Sequence, residues 1–356
     1  MTDGHRPPSR DVSGRLWWRV GAAVGVLAAV AAVLIALVTA VRQDGGDRSA
    51  AMFPTRPPQP SEGVTSSRGP QPPASGSWVG AVVQPADYAQ PARILAISEY
   101  ETKMGRQLDM VHTYHTWQDR FPDPTDRWVV DNDRMLMLSW GGTDTRLIQS
   151  GRYDDLIRQR ARDLKEWHAK ILLQWRWEMD RPNLQQNVRS APDYIAAWTH
   201  IRAIFQQEGV TNVSWVWCPT AEGFTLGRAQ AYYPGDDQVD WLCATVYPDE
   251  VNKNKDFGSV SEAFLTWAKG HPKPIAIGEY GAYPGYPGGL AAWVRQAAET
   301  ARRTPAIKAM IYFDSDDPNG KPFFQHSLRK DASAIAAFRD FLADPYFNPR
   351  KLPALN

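Results

Sequence analysis

From Trp78 onward the chain alternates short apolar runs with stretches of helical period, and this alternation limits the fold more than any other feature. The apolar runs fall at 78–84, 108–117, 135–140, 171–178, 213–218, 239–247, 274–279 and 307–313. Helical patterns separate most of them, at 92–104, 153–168, 192–207, 260–269, 289–303 and 331–342, whereas the connections after the second and fifth runs read mostly as loop. Strands covered on both faces read as continuous apolar runs, and parallel neighbours need crossovers of a dozen or more residues. Eight such units over 78–356 predict a (β/α)8 TIM barrel. A doubly wound open sheet is the rival, and no glycine-rich dinucleotide turn supports it.

A barrel of this kind carries its chemistry at the C-terminal ends of its strands. The fourth run, KILLQWRWEMD at 170–180, holds Glu178 near its end, and the seventh, PIAIGEYGAY at 274–283, holds Glu279 in the same place. A charged carboxyl is costly at the end of an apolar strand unless something pairs or uses it. Arg176 is the nearest cation in sequence that would pair with either. Side chains alternate along a strand, which sets Leu172, Gln174, Arg176 and Glu178 on one face and groups Ile275, Ile277 and Glu279 likewise. Both sets are expected to face the barrel interior, so that the two carboxyls converge at its mouth.

Composition narrows the partners. A formal net charge of +1 argues against an electrostatic grip on nucleic acid. Fifteen Trp in 356 residues is rich usage, and flat aromatic faces suit sugar rings as well as cores. Trp140 and Trp217 end the third and fifth runs, where a platform for a sugar or a packed core residue would both fit. His112 and His115 end the second run without a third ligand, so neither metal nor cofactor is expected. The two cysteines, Cys218 and Cys243, lie on neighbouring strands, and parallel-strand geometry favours two buried thiols over a bridge.

The N-terminal part has a different character. Residues 1–19 are polar and basic, and 20–41 contain no charge over 22 residues, long enough to cross a bilayer as one helix. The basic flank on the N-terminal side places the N-terminus in the cytoplasm and the rest outside, a signal-anchor pattern. Secretion after cleavage near Ala40 is the alternative. Residues 42–77, rich in Pro, Ser, Gly and Gln, read as an extended tether before a catalytic domain at 78–356.

Four motifs in order then carry a family resemblance: Arg176-Trp177-Glu178-Met179-Asp180, Asn212-Val213-Ser214-Trp215-Val216-Trp217, the segment from Tyr232-Tyr233-Pro234-Gly235 to Asp240-Trp241, and Pro274-Ile275-Ala276-Ile277-Gly278-Glu279-Tyr280-Gly281. Together they resemble glycoside hydrolase family 26, a clan A family of endo-β-mannanases and related β-glycanases on a (β/α)8 barrel. The resemblance implies Glu178 as general acid/base and Glu279 as nucleophile of a retaining mechanism, which uses two carboxyls about 5–5.5 Å apart. Glu178 should then start neutral and Glu279 charged. It further implies that Tyr247, ending the sixth run, donates to the nucleophile. Trp177 and Asp180, flanking the acid/base, are expected to contact substrate. In that family the acid/base commonly follows His and precedes Met-Asn-Gly, with Arg four residues upstream. Here those places hold Trp177, Met179-Asp180-Arg181 and Gln174, which leaves the sugar open among mannan, mixed-linkage β-glucan, β-1,3-xylan and an envelope glycan.

Two functions of different class follow. One is a membrane-anchored retaining endo-β-glycosidase acting on a β-linked polysaccharide or oligosaccharide. The other is a glycan-binding or polysaccharide-export accessory protein on a hydrolase barrel. Retention of both carboxyls favours the first.

Overall fold

The computed structural model describes residues 69–248 and 251–355. Eight strands, β1 (Trp78–Val83), β2 (Met110–His115), β3 (Met135–Trp140), β4 (Ile171–Trp175), β5 (Val213–Trp217), β6 (Trp241–Val246), β7 (Ile275–Tyr280) and β8 (Ile307–Asp314), run parallel in sequence order. β8 pairs with β1 in register from Trp78↔Ala309 to Val83↔Asp314, and the sheet closes into a barrel.

The main connecting helices are α1 (Gln90–Met104), α2 (Pro124–Asp131), α3 (Asp154–Trp167), α4 (Ala191–Gln207), α5 (Ala221–Thr225), α6 (Phe257–Ala268), α7 (Gly289–Arg303) and α8 (Ala332–Ala343). Two are too short to show a helical period in sequence. α2 has eight residues, started by a reciprocal capping box between Asp123 and Asp126 with Pro124 at its first position. α5 has five, capped by the Thr220 side chain. These are the connections that read as loop.

Two apolar layers follow from strand alternation. On β4, Ile171, Leu173 and Trp175 face outward into the strand–helix core, while Leu172 joins Met110, Met137, Val216, Trp241 and Ile311 inside the barrel. On β7 the expected parity fails. Ile275 and Ile277 point outward and Ala276 inward, yet Glu279 still points in. A bulge reconciles these positions: opposite β6 the register passes from Ala244↔Ile277 to Thr245↔Glu279, so Gly278 is an extra residue and the alternation restarts after it.

Residues 69–77, grouped by composition with the Pro-rich stretch, lie against the barrel. Gly69 and Pro70 are buried, a Cβ on Gly69 would lie 2.2 Å from Ser214 Oγ, and the Ser77 amide donates to the Tyr346 carbonyl at 3.0 Å. The basic segment 1–19, the expected span 20–41 and residues 42–68 fall outside the described residues. Among the described residues no helix is long and apolar enough to cross a membrane.

Candidate active site

β4 ends at Trp175, and the next three residues turn sharply. Arg176 and Glu178 both take left-handed backbone conformations, with φ of 47° and 54°. Non-glycine residues pay for such angles, so the surrounding structure has to hold them. It does so through the Arg176 amide, which donates to the Trp140 carbonyl at 3.0 Å, and the Glu178 amide, which donates to the Cys218 carbonyl at 2.8 Å. Glu178 therefore stands just beyond the strand, in the βα loop, and not within the strand.

Cys218 follows β5 and is bridged to Cys243 on β6 across a Cα separation of 4.3 Å. This corrects the expectation of two free thiols. Cys218 lies beyond the last residue of its strand, where the chain is free to bring its sulfur to the neighbour. The disulfide packs inside the barrel against Gly278, whose Cβ would lie 2.4 Å from Cys243 Sγ and 3.0 Å from Cys218 Sγ. The bulge residue is thus glycine because sulfur fills the space of a side chain.

Glu279 follows the bulge and is 6% exposed. Tyr114, on β2, donates to Oε1, and Tyr247, just after β6, donates to Oε2 at 3.0 Å. Burial, then the charge on Glu178, pushes Glu279 up to about 8, while Tyr114, Tyr247 and Arg181 pull it down. Both phenols are themselves held well above their ordinary value, first by burial and then by Glu279, and stay protonated as donors. Beneath them His112 is buried, with Nδ1 3.2 Å from the Gly278 carbonyl and Nε2 2.6 Å from Ser139 Oγ. Burial drops it to about 3, so a neutral imidazole braces the bulge.

Glu178 faces the same cleft. Thr245 Oγ1 donates to its Oε1 at 2.8 Å, and Arg181 grips both oxygens, through Nη2 at 2.8 Å and Nε at 2.5 Å. The counterion is Arg181 and not Arg176. Glu178 thus has a geometric partner in Arg181, whereas burial and the neighbouring carboxyl push Glu279 toward its protonated form, against the expectation that it rests charged.

Glu178, Glu279, Tyr247 and Trp177 line one cleft of about 910 Å³, along with Arg176, Arg181, Thr245, Phe313 and Phe324. Trp177 packs edge-on to Tyr114 at 4.9 Å between ring centroids and is half-buried. The other three expected contacts lie elsewhere. Trp140 is fully buried, stacked on Trp117 at 4.4 Å, and Trp217 is fully buried with its indole N–H on the Tyr232 carbonyl. Both are last residues of strands at outward parity, so they pack the strand–helix layer. Asp180 is buried and accepts from the Thr220 amide at 2.9 Å and the Thr220 hydroxyl at 2.5 Å, tying the β4 loop to the β5 loop.

Tyr114, Arg181 and Thr245 escaped the sequence reading. Tyr114 was within reach, because Met110, His112 and Tyr114 share the inward parity of β2. Arg181 had no such signal, since a loop has no period. His115 is turned away on Asp126, with Nε2 2.9 Å from Oδ2 at the start of α2. His115, Asp123 and Asp126 bring possible ligand atoms within 4.8 Å of one another. Capping and side-chain hydrogen bonds already occupy these carboxyls.

Residues 161–282 match the model of glycosyl hydrolase family 26, a span that includes both carboxyls. Endoglucanase H of Acetivibrio thermocellus is 26% identical over 294 residues, covering 77% of this chain and 31% of that protein. Beta-1,3-xylanase TXYA of a Vibrio species is 32% identical over 139 residues, covering 37% of this chain and 28% of that one. The chain thus spans about three-tenths of the length of these curated relatives. Among solved structures, the catalytic domain of a Bacillus sp. JAMB-750 endo-beta-1,4-mannanase superposes with a TM-score of 0.60 at 16% identity, over 77% of this chain and 87% of that one. A Bacteroides ovatus beta-mannanase gives 0.59 at 16%, over 77% and 90%. At such identities the superpositions speak for the fold alone. Over residues 161–282, which include both carboxyls, the chain is thus similar to glycosyl hydrolase family 26, on a barrel that the solved mannanase structures share.

Proposed function

We propose that the protein is a retaining endo-β-glycosidase that cuts a β-linked polysaccharide of the mannan or related β-glycan class, with Glu279 as nucleophile and Glu178 as general acid/base. The observation that carries this reading is the convergence of two tyrosine donors on Glu279 in a cleft that Glu178 shares. Double displacement needs one carboxyl to attack the anomeric carbon and the other to protonate the leaving oxygen, then to activate water. The tyrosines are placed to accept charge developing on Glu279, because their hydrogen bonds strengthen as it ionises. The proton meanwhile has to reach Glu178. A glycosidic oxygen entering beside Glu178 displaces the partly exposed Arg181, and the proton that burial favours on Glu279 moves to Glu178 as Glu279 takes up the charge.

The relatives bear names of an endoglucanase and a β-1,3-xylanase, and the structural neighbours those of mannanases, so a panel serves better than one substrate. Glucomannan, galactomannan, mixed-linkage glucan, β-1,3-xylan and extracted envelope glycan are offered, with early products read by proton NMR. Hydrolysis of one polymer with β-configured first products, lost in Glu178→Ala and Glu279→Ala, is expected. Unchanged turnover in Glu279→Ala would overturn the assignment, and binding without cutting would favour a glycan-holding protein.

The uncharged run 20–41 supports a further part of the proposal, that the catalytic domain is held outside the cell by a single N-terminal membrane helix. Fractionation with N-terminal sequencing tests it. A soluble mature chain beginning at Val41 would replace the anchor with secretion.

A further inference from the structure

Arg176 lines the cleft two residues before Glu178, and among the described residues its guanidinium has no partner. Among the described residues no carboxylate lies within 4.0 Å of its guanidinium and no acceptor takes a hydrogen bond from it; its Nε is buried and unpaired. Most other cleft charges are already engaged. Arg181 is matched by Glu178, Glu279 is held by two phenols, and Glu222 lies 3.7 Å from Arg228.

The wall is shaped around this arm. A Cβ on Gly142, just past β3, would lie 2.4 Å from Arg176 Cδ and 3.0 Å from its Cγ and Nε. Gly142 has no left-handed φ to explain it, so its missing side chain provides room for the arginine stem. Arg176 itself holds a left-handed backbone angle, φ 47°. Burial pulls its titration below the ordinary arginine value, and the Tyr194 phenol opposes this. A half-buried cation with no counterion loses hydration without Coulombic return, which the fold tolerates where a ligand supplies the anion.

We propose that Arg176, laid along Gly142, forms an anion-recognising subsite beside Glu178, and that the β-glycan bound there carries a carboxylate or sulfate on one of its sugars. The inference rests on the glycosidase reading for the placement of a sugar chain in this cleft. Guanidinium meets a carboxylate through two parallel N–H donors, so a planar carboxylate should be read more strongly than a tetrahedral sulfate.

The test is calorimetric binding by the full chain. The probes are cellohexaose and mannohexaose, their C6-carboxylated forms and their C6-sulfated forms. Wild type should bind an anionic form at least about tenfold more tightly than its neutral parent, and this ratio should fall to near one in Arg176→Gln. Gly142→Ala pushes the arm from the wall while keeping the charge, and it should lower the same ratio even if Arg176→Gln does not fold. A wild-type ratio near one, a ratio that survives both substitutions, or no binding of any probe would overturn the proposal. Reducing ends are measured in parallel. Tight anionic binding without cleavage sinks the glycosidase reading and leaves the subsite, whereas equal kcat/KM on neutral and anionic glycans with a ratio near one does the reverse.

Discussion

Replacing Tyr114 by Phe removes one hydroxyl and leaves the ring that packs against Trp177. Glu279 Oε1 then loses its phenol donor while Oε2 keeps Tyr247 at 3.0 Å. A hydrogen bond to a charged group contributes about 1.5–3 kcal/mol, and about 1.4 kcal/mol corresponds to one pH unit of titration. Glu279, already pushed up to about 8, should therefore titrate about one to two units higher still. If Glu279 attacks as the carboxylate, kcat/KM at pH 7 falls about 10- to 100-fold, and its acid limb moves upward by the same one to two units. A dinitrophenyl β-glycoside isolates the effect, because its leaving group needs no proton from Glu178. An acid limb that stays in place in Tyr114→Phe, with kcat/KM within about threefold of wild type, would refute the argument that the two phenols stabilise the attacking charge.

Glu279 also makes stability depend on pH. Its folded value of about 8 lies above its ordinary 4.5, so its contribution is fully present below 4.5 and is lost as pH rises through about 8. Glu279→Gln should thus melt several degrees above wild type at pH 8 and close to it at pH 4.5, a difference on the order of a few kcal/mol; parallel calorimetric melts that never diverge would contradict this. Gly278→Ala forces a methyl against the disulfide and should cost about 1–3 kcal/mol in denaturant titrations as well as lowering kcat through Glu279, so wild-type stability and turnover would show that the bulge is slack. Asp180→Ala leaves the buried Thr220 amide without its acceptor; Tm should drop by the equivalent of about 1–3 kcal/mol while KM stays put, and a raised KM with unchanged Tm would return Asp180 to the substrate.

The barrel was legible because its period is written along the chain. Each apolar run of strand length, followed by a crossover, has few ways to bury its backbone, and eight of them close on themselves. The carboxyls at 178 and 279 were legible for a related reason, since a strand end is a position along the sequence and the barrel sends all eight ends to one mouth. The inward set Leu172 and Gln174 on β4 also followed from alternation alone.

Other features depended on which neighbours meet. Alternation misplaced Ile275 and Ile277 because a bulge inserts one residue, and that bulge exists where the disulfide leaves no room for a side chain at 278. Trp140 and Trp217 sit at strand ends as expected, but parity turns them toward the helices, and proximity to the mouth did not make them platforms. Asp180, next to the acid/base motif in sequence, is spent on Thr220 of the following loop. Tyr114 reaches Glu279 across 165 residues, and Arg181 takes Glu178 while the Arg176 guanidinium has no partner among the described residues. Sequence by itself determined the architecture, whose apolar runs recur with a period local to the chain, and the position of Glu178 and Glu279 at the ends of two of those runs. Tertiary structure alone decided which side chain donates to which oxygen and that burial raises Glu279, because these depend on distances and burial that only closure of the barrel creates.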